Sequence, residues 1–280
     1  MYFKPRTLDE AVQALSAGEA AILAGGTDFY PSRGLAQVKE PVIDLSCIGG
    51  LVGITKDLDR FKIGACTTWT QLIRAELPSC FDGLKAASRE VGSIQIQNRG
   101  TIGGNLCNAS PAADGVPPLL ALDAEVELAS AGVRRCLPLN EFILGNRRTA
   151  LQKSEILTSV LIPRRFETAV SSFLKLGARR YLVISIAMVA ATVVVNKGGM
   201  VVDARVTVGA CSSVAQRLAA LEDALKGSRV VPGWGHVAQS HHLVALSPID
   251  DIRATGSYRR DATLTLVRRA LEACVREIHQ

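Results

Sequence analysis

The stretch Asn98–Asp114, NRGTIGGNLCNASPAAD, constrains this chain more than any other. Adjacent glycines, Gly103 and Gly104, sit among Thr101, Asn105, Asn108 and Ser110, and Ser-Pro-Ala-Ala-Asp closes the segment. Glycine lacks a Cβ and tolerates φ > 0, so a ligand can press against its backbone. Successive exposed N–H groups in such a segment form a concavity suited to an anion, most often a phosphate. A plain turn needs one Gly and one Asn, and this stretch carries far more. It reads as one wall of a nucleotide site.

A chain of 280 residues is long for one core and favours two or three subdomains. Near the start, Thr7-Leu8-Asp9-Glu10 has the capping-box pattern, Thr7 reaching forward and Glu10 reaching back. Ala20–Ala24 has strand length and runs straight into Gly25-Gly26-Thr27-Asp28, a second glycine pair at a strand end. Alone that tetrapeptide is a turn, but strand-end loops with free N–H groups also make phosphate sites. Short strands are expected at 41–45 and 61–64, helices at 67–77 and 81–89, and a hairpin around Ala131-Gly132. After Arg164-Arg165 the pattern changes. Three strands at 169–176, 186–196 and 200–208, then helices at 214–225 and 258–278, predict a separate α+β unit with a three-stranded antiparallel sheet. The boundary is expected near residue 168.

Several functions lack their entry point. There is no G-x-x-x-x-G-K-[ST], no G-x-G-x-x-G after a strand, no H-E-x-x-H and no G-x-S-x-G. His241 and His242 are adjacent and point different ways, which suits a surface loop better than a metal site. The seven cysteines are scattered without a C-x-x-C pair, as in a reducing compartment, and supply no zinc or iron–sulfur motif. The net charge of +6 is spread over isolated Arg pairs, and aromatic residues make up 5%, so no nucleic-acid partner is expected. The longest apolar run, Val183–Val195, is too short to span a bilayer, and the start carries no signal-peptide pattern. A cytoplasmic protein without membrane insertion is the expectation. With no nucleophile beside a base, a bound cofactor must carry any chemistry.

The segments AILAGGTDF (21–29) and TIGGNLCNASPAAD (101–114) together resemble the two flavin-binding loops of the FAD-binding medium subunit of the molybdenum hydroxylases, the xanthine and carbon monoxide dehydrogenase family. EILTSVLIP (155–163), FLKLGARR (173–180), QRLAALEDAL (216–225) and DDIRATGSYRRD (250–261) follow in the family's order. The resemblance implies an α+β chain. A bipartite two-loop FAD-binding domain, 1–168, would have two α/β subdomains at about 1–55 and 56–168, and a small C-terminal domain would occupy 169–280.

The resemblance also implies site residues. Ile22, Leu23, Ala24, Gly25, Gly26, Thr27, Asp28 and Phe29 would offer backbone N–H groups to the FAD pyrophosphate. Thr101, Gly103, Gly104 and Asn105 would hold it from the other side. Asp114 would accept hydrogen bonds from the adenosine half or order its loop; the alternative is a helix N-cap. Leu157 matches a position on the adenine side. Lys175 matches one near the flavin ring, and the alternative there is a solvated strand residue. The sequence departs from the family at Tyr181-Leu182-Val183-Ile184, where the family often carries Asp. FAD is expected as the only redox centre on this chain. The molybdenum cofactor and 2Fe-2S clusters are expected on a large and a small partner subunit, in a dimer of heterotrimers. The expected role is electron transfer from those clusters to an external acceptor. A stand-alone FAD oxidase or dehydrogenase and a non-redox nucleotide-binding scaffold are the alternatives.

Overall fold

The computed structural model describes residues 1–34, 36–180 and 182–279. The chain opens with β1 (Tyr2–Phe3), α1 (Leu8–Ser16), β2 (Ala21–Leu23) and β3 (Val42–Asp44), which form a parallel sheet in the order β1-β3-β2. Thr7 accepts the Glu10 N–H at 3.2 Å and caps α1. The return half of the expected capping box lands one residue early, since Glu10 Oε2 accepts from the Arg6 N–H at 2.8 Å. Ala11, Val12 and Leu15 form the buried face of α1, packed with Ile43 and Leu45.

The central unit contains β4 (Ile54–Lys56), β5 (Arg60–Gly64), α2 (Trp69–Arg74), α3 (Asp82–Glu90), α4 (Ile94–Arg99), α5 (Ile102–Asn108) and α6 (Val116–Ala121). It continues through β6 (Glu125–Ser130), β7 (Val133–Pro138), α7 (Leu139–Phe142), β8 (Ile143–Gly145), β9 (Arg148–Thr149) and β10 (Ile156–Pro163). Five strands pair antiparallel in the order β4-β5-β10-β6-β7. All residues from Ile156 to Ile162 are buried, because β10 is the central strand; this is why it reads as a continuous apolar run. Its pairing with β5 begins at Ser159, so Ile156 and Leu157 run on past the end of that neighbour.

The glycine-rich stretch is more helical than expected. Thr101 is the N-cap of α5, and Gly103 and Gly104 lie in its first turn. Glycine's low helix propensity hides such an element, and here tertiary contacts outweigh it.

The last unit is β11 (Val170–Leu176), β12 (Ala187–Val195), β13 (Val201–Gly209), β14 (Gln216–Arg217), α8 (Ala219–Leu225) and α9 (Gly256–Ile278). Its antiparallel sheet has four strands, not the expected three. The start of the expected 214–225 helix pairs instead with Thr207 and Val208 as a two-residue strand, too short to leave a period in the sequence. The apolar face of α9 buries Leu266, Val267, Ala270, Leu271 and Cys274 in the core under this sheet.

Arg259 of α9 is only 2% exposed. Its guanidinium donates to the carbonyls of Ile186 (2.6 Å) and Ala210 (3.2 Å) and to the Asp251 carboxylate (2.7 Å). Three chain segments therefore converge on one side chain. Arg259→Met strands two buried carbonyls and should cost about 3 kcal/mol, read as a lower thermal midpoint. An unchanged midpoint would contradict this role.

Candidate functional site

The two glycine pairs meet. A Cβ on Gly25 would lie 2.0 Å from the Arg99 carbonyl oxygen, so the loop after β2 touches backbone to backbone the turn between α4 and α5. Gly103 packs closely on Ala65, where a Cβ would come within 2.7 Å. Side chains at these positions would hold the walls apart.

Between the walls lies a cavity of about 490 Å³, a size typical of cofactor sites. Ile22, Ala24, Gly25, Gly26, Thr27, Asp28, Phe29, Thr101, Gly103, Gly104, Asn105 and Leu157 line it, so twelve sequence-expected residues are brought together. Leu23 is buried in β2 and underlies the loop. The apolar side chains of Leu151, Ile156, Leu157, Val91 and Ile96 also line the cavity.

The walls differ in what they offer. Gly26 has φ +76°, the left-handed turn that bends the loop away from its strand. Among the described residues, no protein acceptor takes a hydrogen bond from the backbone N–H of Gly25, Gly26, Thr27, Asp28 or Phe29. On the facing wall the amides are already engaged. Ile102 donates to Thr67 O (3.0 Å), Gly103 to Ala65 O (2.8 Å), Gly104 to Thr101 Oγ1 (3.1 Å) and Asn105 to Thr101 O (3.0 Å). That wall therefore contributes bare Cα surface rather than free donors. Asn105 Oδ1 is buried without a partner. Unpaired donors and an orphaned acceptor around one cleft indicate a polar ligand, so the residues fit a dinucleotide.

Some lining residues carry no sequence signal. Arg33 stacks over the Phe29 ring at 3.8 Å and donates to the Phe29 carbonyl, bringing a cation to the loop; its spacing from Phe29 gives only a weak hint. Trp69 is buried beneath the cavity and crowds Gly115, where a Cβ would sit 2.5 Å from its ring. Burial pushes the Cys66 thiol up to about 12, so it stays neutral and places no negative charge beside an anion.

Asp114 and Lys175 stand outside this cavity, paired with each other. Lys175 Nζ donates to Asp114 Oδ2 at 2.7 Å and to the Glu90 carbonyl at 3.4 Å, and Ser185 Oγ donates to Asp114 Oδ1 at 3.0 Å. Neither alternative, a solvated Lys175 or an Asp114 helix cap, matches this buried pair; no side chain caps α6. Burial pushes the Asp114 carboxyl up, against the pull of Lys175 and Ser185. Lys175 lines a second cavity with Glu90, Phe173 and Arg179. Tyr181, where the sequence departs from the family, lies outside the described residues. Leu182 has φ +52° and its carbonyl accepts from Arg179.

Glu155 also lines the cavity, next to Leu157. Hydrogen bonds from Arg135 (2.6 and 2.8 Å), with one from the Gln152 N–H (2.8 Å), hold its carboxyl below the usual range despite burial. A carboxyl lowered in the folded state contributes stability that is complete above its unfolded pKa and is lost as pH falls through the folded value. Arg135→Gln removes the cation and lets burial raise the carboxyl. Loss of bound flavin on acidification should then begin at higher pH than in wild type, followed by flavin fluorescence. Identical acid midpoints would show that this pair does not support the cavity.

Comparisons with known proteins agree with this geometry. Residues 1–165 match the family described as FAD binding domain in molybdopterin dehydrogenase, and residues 172–274 match the CO dehydrogenase flavoprotein C-terminal domain. The chain is 29% identical over 274 residues to the nicotine 6-hydroxylase medium subunit of Paenarthrobacter nicotinovorans, covering 96% of this chain and 95% of that one. It is 27% identical over 281 residues to the carbon monoxide dehydrogenase medium chain of Hydrogenophaga pseudoflava, covering 97% and 96%. A solved carbon monoxide dehydrogenase structure from the latter organism superposes with a TM-score of 0.89 at 28% identity, covering 98% of this chain and 96% of that one. Among the described residues, no helix is long and apolar enough to cross a membrane. The chain belongs to the FAD-binding medium subunits of the molybdopterin dehydrogenases and is a flavoprotein subunit of an oxidoreductase.

Proposed function

We propose that this chain is the electron-transfer subunit of a molybdenum-containing hydroxylase or dehydrogenase complex. In this reading electrons come from iron–sulfur clusters on a small subunit and leave for an external acceptor, while a large subunit carrying the molybdenum cofactor oxidises the substrate. When bound, FAD supplies a two-electron store that exchanges electrons singly. The medium-subunit and medium-chain names of the relatives support partners of this kind. The proposed organisation is a FAD-binding domain to residue 168 and a smaller domain after it.

The observation that carries the reading is the run of unbonded amides from Gly25 to Phe29, facing a helix start without Cβ atoms at Gly103 and Gly104. Five unbonded N–H groups in one loop suit a pyrophosphate, and Arg33, ion-paired with Glu40 at 2.6 Å, lies beside them. Leu151, Ile156 and Leu157 give the adenine an apolar seat. Val91 and Ile96 offer a second apolar surface, for the flavin end. Lys175, which the resemblance puts near the flavin ring, stands outside this cavity with its ammonium paired to Asp114. The chain binds and orients the cofactor and excludes water.

The purified chain is expected to show flavin absorbance with equimolar FAD and to travel with a larger and a smaller subunit. A colourless chain that cannot be loaded with FAD would overturn the reading. A Cβ on Gly104 would come within 2.9 Å of Thr101 Oγ1, inside the cavity wall. Gly104→Val should therefore lower FAD occupancy without unfolding the chain, and wild-type occupancy would show that the helix start is structural only.

A further inference from the structure

Among the described residues, Arg33 is the one cation lining the cofactor cavity, and Asp28 and Glu155 are its carboxylates. Glu155 is neutralised by Arg135 at 2.6 Å. Asp28 is exposed within the open-amide loop, and among the described residues no cation pairs with it. A pyrophosphate diester carries a full negative charge on each phosphate. Backbone amides answer it with partial charges only, and Asp28 opposes them. The lining is therefore short of positive charge unless Arg33 supplies it.

Arg33 is placed to do so. It ends the short turn Pro31–Arg33 that follows the open amides, and Gly34, with φ +58°, carries the chain onward. The guanidinium lies 3.8 Å over the Phe29 ring, and one terminal nitrogen donates to the Phe29 carbonyl at 2.9 Å. The other donates to Glu40 Oε1 at 2.6 Å. A guanidinium has more N–H donors than these bonds use, and its planar fork is well suited to a phosphate. The partner Glu40 lies outside the cavity lining. The hydrogen bond from Arg33 holds the Glu40 carboxyl below the usual range, so it stays ionised and offsets part of the cation's charge. The two side chains are 27% and 40% exposed. Ion pairs so exposed are weak, and a phosphate can displace them at small cost.

We propose that Arg33 is the cation that binds the cofactor's pyrophosphate, and that Glu40 competes for the same guanidinium and limits how tightly the chain holds FAD. This rests on the pyrophosphate reading of the Gly25–Phe29 loop given above.

The test is calorimetry of the flavin-stripped full chain at low and high salt, with FAD and with ADP, which carries the pyrophosphate without the flavin. Arg33→Gln should weaken both ligands about tenfold at low salt and flatten the salt dependence. Arg33→Lys should give intermediate affinity with the wild-type salt dependence. Glu40→Gln, which keeps a hydrogen-bond acceptor but loses the charge, should tighten both ligands about threefold at low salt. Lys39→Gln removes an exposed charge next to Glu40 but outside the cavity lining, and should change nothing. An Arg33→Gln variant weakened equally at every salt concentration would show a loop strut and overturn the proposal. So would weaker FAD binding with unchanged ADP binding. Weaker binding in Glu40→Gln would overturn the competition. A wild-type chain that takes up no FAD would instead remove the functional reading beneath it.

Discussion

The structure depends on one backbone contact, Gly25 against the Arg99 carbonyl. With a virtual Cβ only 2.0 Å from that oxygen, no other residue fits without moving a wall. The contact brings the loop after β2, in the N-terminal unit, against the turn between α4 and α5 of the central unit. Once they touch, the open amides of Gly25–Phe29 face the bare Cα surface of Gly103 and Gly104. The cleft is therefore made by close approach, and glycine is required for space more than for flexibility at Gly25 and Gly103.

The two walls divide the work. The first has donors with nowhere to bond inside the protein, which is costly unless a ligand or water accepts them. The second has spent its first four helical amides on Thr67, Ala65 and Thr101, and so is rigid. A rigid floor under an unsatisfied loop binds an anion with little reordering. Beyond the cleft, the buried Lys175–Asp114 pair ties β11 to the segment following α5, and Ser185 joins the same carboxylate. That network connects the C-terminal sheet to the cofactor walls through charge as well as packing.

Much of this was legible in the residues. The motif pair at 21–29 and 101–114 pointed to a two-loop clamp, and the cavity gathers eleven of the residues so named, with Leu157 from the 155–163 segment. The 3-4 spacing of Leu264, Val267, Leu271 and Cys274 marked α9. Other features left little trace. Helix α5 was hidden because glycine argues against helix locally, while its N–H partners Thr67 and Ala65 lie more than thirty residues earlier. β14 has two residues and no period. Trp69 and Glu155 carry no such signal, and Arg33 shows only its four-residue spacing from Phe29. The pairing of Lys175 with Asp114 spans 61 positions and could not be read from either neighbourhood.

The most direct test of the clamp is amide hydrogen exchange of the full chain with and without FAD, resolved over residues 24–30 and 101–106. The account predicts fast exchange at Gly25–Phe29 that becomes slow on loading. It predicts little change at Ile102–Asn105, whose amides are already bonded. Protection confined to 102–105, or unchanged exchange across 25–29 in a chain that has taken up FAD, would contradict it.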